Sequence, residues 1–337
     1  MEYQVVIVGG GPAGIITALT AKNVYPEKTV CVIKEIGDGV IPCAVPYMIH
    51  TMSDPKQNIM SDMPLEKAGI SIIVGKVASI DTREHKVVMD SGDSHTYERL
   101  VLATGTEMVL PRIKGINKRG VFTINKSLSG MTALRAKIEE ASKIVIIGGG
   151  FIGAEFADEL ARIPKPEVHL IEIMPKLLFT AFDDEFCDQI AEELKRKGVQ
   201  IHTDCEVAAV EGEKQVESVR LKSGETVTAD VILVSVGAKP ATRLAKEAGL
   251  LTVESGSIWV DEYMRTTAEG VFAVGDCALK RDFLRVKLFP SGLRPRRLRR
   301  PATPARTFTG YVFCIKSKER LALSRLKSVR LTSPAPE

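Results

Sequence analysis

The chain predicts an α/β protein with two doubly wound domains, and three observations carry that expectation. A short apolar run passing into a glycine-rich turn and then an apolar helix occurs twice, starting near residue 4 and again near residue 143. Each copy is followed by a second apolar run that leads to an acid about twenty residues past the last glycine of its turn. The length of 337 residues has room for two or three domains, and 45% hydrophobic content with mean hydropathy +0.05 fits a soluble globular protein.

Residues 4–8, Gln-Val-Val-Ile-Val, have the character of a buried parallel strand. They enter Gly9-Gly10-Gly11-Pro12-Ala13-Gly14, and Ile15-Ile16-Thr17-Ala18-Leu19 then opens a helix. Gly9, Gly11 and Gly14 satisfy G-x-G-x-x-G between a strand and a helix. The first glycine makes the tight turn, the second lets a pyrophosphate approach the backbone, and the third lets helix pack closely on strand. The helix start adds unpaired N–H donors and the positive dipole end for phosphates. Thr29 to Ile33 reads as the second strand. Glu35 follows it, 21 residues past Gly14, as the expected acceptor for ribose hydroxyls.

The unit recurs at Lys143-Ile144-Val145-Ile146-Ile147, which leads into Gly148-Gly149-Gly150-Phe151-Ile152-Gly153 and a helix from Ala154 to Leu160. Gly148, Gly150 and Gly153 repeat the pattern. Val168-His169-Leu170-Ile171 ends at Glu172, 19 residues after Gly153. One such site would point to a plain dehydrogenase, whereas two point to electron transfer between two dinucleotides. A carboxylate at Glu172 accepts from a free 2′-hydroxyl and repels a 2′-phosphate, and the next cation is Lys176. NADH is therefore favoured over NADPH.

Composition excludes several classes. No run of eighteen or more uncharged apolar residues is present, so no membrane span is expected, and residues 1–20 lack a signal-peptide pattern. Cysteines 31, 43, 187, 205, 277 and 314 form no C-x-x-C pair, which fits a reducing cytoplasm without zinc or disulfide staples. Histidines 50, 85, 95, 169 and 202 show no metal-ligand spacing, so no metal is expected. Charge is divided unevenly. Residues 285–337 carry 14 Lys/Arg against 2 Asp/Glu, leaving 32 against 40 in residues 1–284.

Cys43 lies about thirty residues beyond the first glycine turn, in Ile41-Pro42-Cys43-Ala44-Val45-Pro46-Tyr47, with no partner cysteine nearby. A lone redox thiol must cycle through a sulfenate or a mixed disulfide with a small thiol. The competing reading is a small buried hydrophobe.

Cys43-Ala44-Val45-Pro46-Tyr47, together with the two glycine units, resembles the single-cysteine branch of the flavoprotein disulfide reductases. That branch holds NADH oxidases, NADH peroxidases and coenzyme A disulfide reductases. Leu100-Val101-Leu102-Ala103-Thr104-Gly105 resembles the A-T-G turn closing the first FAD segment. Thr266 to Asp276 resembles the second FAD fingerprint, including Gly275, and Val236-Gly237-Ala238-Lys239-Pro240 resembles the crossover back to the FAD domain. The resemblance implies Rossmann-like FAD and NAD domains. Residues 1–110 and 240–284 would bind FAD, with 111–239 the inserted NADH domain. It assigns FAD to Gly9, Gly11, Pro12, Ala13, Gly14, Glu35, Ala103, Thr104, Gly105, Gly275 and Asp276, the last bonding the ribityl chain. It assigns the nicotinamide nucleotide to Gly148, Gly150, Gly153, Glu172 and Gly237. Glu155 is either a helix-start acid or a neighbour of nicotinamide and flavin. Cys43 would be the catalytic thiol, taking electrons that NADH gives to flavin and passing them to oxygen, coenzyme A disulfide or a persulfide. Peroxidase-like members often carry His where this chain has Pro12, which cannot donate a proton.

After Leu284 the pattern changes. Residues 285–306 hold eight basic residues, four prolines and no acid. Such a segment is expected to be poorly ordered, and as a basic arm it has no nucleic-acid-binding motif. The resemblance implies a C-terminal interface domain and a homodimer instead. Reading each codon's third base with the next codon's first two, with free synonymous choice, turns Lys287 onward into A-F-P-V-R-L-A-S-T-A and further interface-like sequence. A shifted reading frame from about residue 285, from either a sequencing error or a decayed gene, is the expectation; a shift carried by the organism would leave the interface domain missing and dimerisation compromised.

Overall fold

A computed structural model of the chain describes residues 1–280, and the readings made of the basic tail and its frame lie outside the described residues. Strand β1 (Glu2–Val8) leads through the first glycine turn into helix α1 (Pro12–Val24) and returns as β2 (Val30–Lys34). β2 is buried along its whole length, as an apolar strand covered on both faces requires. After the short helix α2 (Met63–Lys67), β3 (Ser71–Val74) pairs parallel with β2. Strands β4 (Val77–Asp81), β5 (Lys86–Met89) and β6 (Ser94–Leu102) form an antiparallel meander, and β6 also pairs parallel with β1.

β7 (Thr106–Met108) leaves this sheet, and a second parallel sheet is then built from residues 121–234. Its elements are β8 (Val121–Thr123), α3 (Leu128–Glu140), β9 (Lys143–Ile147), α4 (Phe151–Leu160), β10 (Glu167–Ile171), α5 (Asp184–Arg196) and β11 (Gln200–His202). An antiparallel trio follows, β12 (Val207–Glu211), β13 (Ser218–Leu221) and β14 (Thr226–Thr228), before β15 (Val231–Val234) re-enters the sheet. The order is β11-β10-β9-β15-β8. Residue chemistry sets several boundaries. The Ser127 hydroxyl accepts from Gly130 N at 3.1 Å and caps α3. α5 begins with Asp184 and Glu185 and ends with Lys195 and Arg196, matching its dipole.

β16 (Ala238–Pro240) runs antiparallel to β7, so the outgoing and returning chains cross side by side. α6 (Arg243–Glu247) follows, and β17 (Val271–Ala273) then joins the first sheet parallel to β6.

One segment departs from this division. Val45, Met48 and Ile49 belong by sequence to the first unit, yet they lie in one apolar cluster with Met131, Leu134, Phe156 and Leu160 of α3 and α4. Met48 is fully buried there, a placement that contributes about 1.5–3 kcal/mol.

Candidate functional site

The first glycine turn leaves space where a phosphate group needs it. Gly9 has φ +122°, and a β-carbon there would lie 2.1 Å from the Ala103 carbonyl oxygen. A β-carbon on Gly14 would lie 1.9 Å from Gly9 O, so helix and turn touch backbone to backbone. Gly11 differs, because a β-carbon there meets nothing within 4 Å. α1 starts at this open ground with no side-chain cap on its N–H groups. Pro12 has no N–H, which leaves Ala13 and Gly14 as the first donors. These residues fit a dinucleotide pyrophosphate.

Further segments close around that helix start. A β-carbon on Gly275 would meet the Ala13 side chain at 2.7 Å, and exposed Asp276 pairs with Lys280 at 2.5 Å. Thr104 Oγ1 donates to Ala241 O at 2.6 Å, and Gly105 turns with φ +67°. Lys126 joins this group without having been singled out in the sequence. Its Nζ donates to Thr106 O at 2.8 Å and to Thr106 Oγ1 at 3.1 Å. Burial lowers its pKa, against the opposing pull of the Asp276 carboxylate. A single lysine in a loop matches no motif, so only the fold shows it.

Glu35 stands apart. Its side chain is exposed and lies 4.0 Å from Lys76 across the surface. The register of β1 and β2 pairs Val8 with Ile33, which sets Lys34 beside the Gly9 turn.

The second turn repeats the first. Gly148 has φ +106°, and its β-carbon would lie 2.6 Å from Ser235 O, while one on Gly153 would lie 1.9 Å from Gly148 O. Gly150 again faces open ground, and α4 starts there without a side-chain cap. Glu172 is fixed over the turn. Its Oε2 accepts from Gly149 N at 2.5 Å and its Oε1 from Met174 N at 2.8 Å. Val109 N donates to Gly237 O at 3.0 Å, tying that glycine to the crossing between domains. Glu155 reaches solvent on α4, but the protein around it disfavours its charge and raises its carboxyl above the usual range.

Cys43 is exposed on a short 3-10 turn, Pro42–Ala44. The chain on both sides of it is fixed. Val40 N donates to Lys126 O at 3.1 Å, and Asn58 Nδ2 donates to Ile41 O at 3.1 Å. Arg135 of α3 donates to Met52 O at 2.9 Å and to Met48 O at 3.3 Å. Glu159 of α4 is 1% exposed and accepts from Thr51 N at 2.8 Å and Thr51 Oγ1 at 2.7 Å. The thiol therefore protrudes from a segment held by Lys126 on one side and by the second unit on the other. Cys31, Cys187 and Cys277 are buried, and burial pushes the Cys31 thiol up to about 12. Among the described residues no group of three or more His, Cys, Asp or Glu could hold a metal ion, and no helix is long and apolar enough to cross a membrane.

Two glycine turns of one geometry, each open at its middle glycine and followed by an uncapped helix, fit a protein that works with two nucleotides. Residues 3–300 match the family described as pyridine nucleotide-disulphide oxidoreductase, and the chain belongs to it. Members bind FAD and NAD(P)H, and the open ground at Gly11 and Gly150 suits those groups. Among curated proteins, the chain is 34% identical over 320 residues to a Pyrococcus horikoshii NAD(P)H coenzyme A polysulfide/persulfide reductase, covering 93% of this chain and 69% of the relative. It is 29% identical to a Methanocaldococcus jannaschii NADH oxidase, covering 83% of this chain and 64% of that one. Among solved structures, an A. fulgidus NAD-dependent persulfide reductase superimposes with TM-score 0.77 at 31% identity, covering 82% of this chain and 53% of that one. The chain thus spans about two thirds or less of the length of these relatives.

Proposed function

We propose that the chain oxidises NADH and passes its two electrons through FAD and Cys43 to a small disulfide or persulfide, such as that of coenzyme A, or to oxygen. The observation that carries this reading is the placement of Cys43, exposed on a segment whose two sides are bonded to Lys126 and to α3 and α4. When bound, FAD supplies two-electron acceptance from a nicotinamide and two-electron donation to sulfur.

The chain's own residues supply binding, orientation and the nucleophile. Ala13 and Gly14 present N–H donors to the FAD pyrophosphate, with Gly9 and Gly11 keeping the backbone clear. Ala103, Thr104, Gly105, Gly275 and Asp276 line the rest of the FAD site. Gly148, Gly150 and Gly153 do the same for the nicotinamide dinucleotide, Glu172 accepts from its ribose hydroxyl, and Gly237 and Glu155 border it. With a disulfide as the acceptor, Cys43 attacks it as a thiolate, forming a mixed disulfide and releasing one thiol. Two electrons and a proton then break that bond, so NADH, one disulfide and one proton yield NAD and two thiols.

Steady-state NADH oxidation against oxygen, coenzyme A disulfide and coenzyme A persulfide tests this reading, with Cys43→Ser beside the unaltered chain. The disulfide- or persulfide-dependent rate is expected to vanish in the variant while NADH binding persists. A variant with an unchanged rate, or an unaltered chain inert toward all three acceptors, refutes it. We also propose that the reading frame is shifted from about residue 285. Resequencing the DNA across the codons for Lys280 to Lys287 checks the shift, and early stops in the shifted frame overturn it.

A further inference from the structure

The two glycine units share one geometry, and that geometry reassigns the residue that meets the FAD ribose. In the second unit, Ile147 pairs with Ile171, so the next pair along the two strands is Gly148 with Glu172. In the first unit, Val8 pairs with Ile33, and the next pair is Gly9 with Lys34. Gly148 N donates to Ile171 O at 2.8 Å, and Gly9 N donates to Ile33 O at 2.8 Å, so the two registers agree. The packing agrees as well. A β-carbon on Gly149 would meet Glu172 Cβ at 3.1 Å, and one on Gly10 would meet Lys34 Cβ at 2.5 Å. Lys34 therefore occupies the place of Glu172, and Glu35, one residue on, turns to the opposite face.

Lys34 does not stand there as a bare cation. Its side chain is 7% exposed, and its Nζ donates to Asp62 Oδ2 at 2.5 Å and to Gly37 O at 3.2 Å. Those bonds engage two of its three N–H donors. The Asp62 side chain keeps 30% exposure. An ammonium with a donor to spare, set beside a carboxylate, offers a vicinal diol one donor and one acceptor. We infer that the adenosine ribose of FAD is read by the Lys34–Asp62 pair and not by Glu35. This inference rests on the proposal that the first unit binds FAD.

The test is a binding cycle on the 337-residue chain, read by quenching of flavin fluorescence, with a thermal melt as the folding check. The probes are FAD and its 2′-deoxyadenosine and 3′-deoxyadenosine forms. The unaltered chain should bind at least one deoxy form roughly tenfold more weakly than FAD, the loss expected for a hydrogen bond to a charged group. Lys34→Met should weaken FAD binding by about the same factor and lose the discrimination, because the coupled partner is gone. Asp62→Asn should lose part of the discrimination, Lys34→Arg should retain it, and Glu35→Gln should leave it intact. If Lys34→Met fails to fold, Asp62→Asn against Glu35→Gln decides by the same criterion. Loss of discrimination in Glu35→Gln, its survival in Lys34→Met, undiminished discrimination in Asp62→Asn, or its absence in the unaltered chain overturns the inference. A chain that discriminates normally but fails the acceptor assay refutes the electron-transfer proposal alone. A chain that takes no FAD refutes the flavin reading and this inference with it.

Discussion

Replacing Thr51 by Val removes one hydroxyl from the contact that fixes the Cys43 segment to α4. Glu159 is 1% exposed, and its carboxylate accepts both Thr51 N, at 2.8 Å, and Thr51 Oγ1, at 2.7 Å. Its nearest cation, Arg162 Nε, lies 3.7 Å away and half-exposed, too far to replace a direct bond. A hydrogen bond to a charged group contributes about 1.5–3 kcal/mol, but Thr51 itself reaches solvent, so the loss should fall near about 1–2 kcal/mol. At about 2.1 cal/mol/K of unfolding entropy per residue, a chain of this size shifts by roughly 1.4 °C per kcal/mol, so the melting temperature should drop by roughly 1–3 °C. Denaturant unfolding measures the free energy, and hydrogen exchange over residues 45–52 localises it. Exchange should quicken there before it does in β9 or β10. A Thr51→Val chain within about 0.5 kcal/mol of the original, with unchanged exchange in that segment, would show that the buried carboxylate does not hold the cysteine turn.

Other perturbations separate packing from binding. Gly11→Ala and Gly150→Ala should fold normally, since a β-carbon meets nothing within 4 Å at either position, yet weaken FAD and NADH respectively in equilibrium titrations. Gly14→Ala should instead lower the melting temperature, because its β-carbon would sit 1.9 Å from Gly9 O. Iodoacetamide followed by peptide mass spectrometry should label Cys43 well before Cys31, Cys187 and Cys277, which are buried. Glu155 has a raised carboxyl pKa in the folded chain, so its contribution to stability is present below the unfolded value and is lost as pH rises through the folded one. Glu155→Gln should flatten that part of the stability–pH curve measured by urea unfolding.

The nucleotide units were legible because their turns admit little but glycine. Gly9, Gly14, Gly148 and Gly153 leave no room for a side chain, whereas Gly11 and Gly150 face open space. The relation of Glu35 to its glycine turn was less legible. Counting from Gly14 leads to the acid Glu35, but the β1–β2 register sets Lys34 beside Gly9, and one residue along a strand reverses the face. The docking of Val45, Met48 and Ile49 onto α3 and α4 was not legible either, since nothing in their local pattern names a surface about ninety residues away. Lys126 escaped notice for a similar reason. It matters through Thr106 and Asp276, which the chain brings to it from opposite directions.

The sharing of an apolar cluster across the two units has a consequence for anyone cutting this chain apart. By connectivity the second sheet is an insert, entering beside β7 and leaving beside β16. Excising it would uncover Val45, Met48 and Ile49 and remove both Arg135 and Glu159 from the turn that carries Cys43. The insert is therefore no interchangeable cassette. A chimera that replaces the insert must bring a matching pair of helices, or the turn that carries Cys43 will lose its anchors.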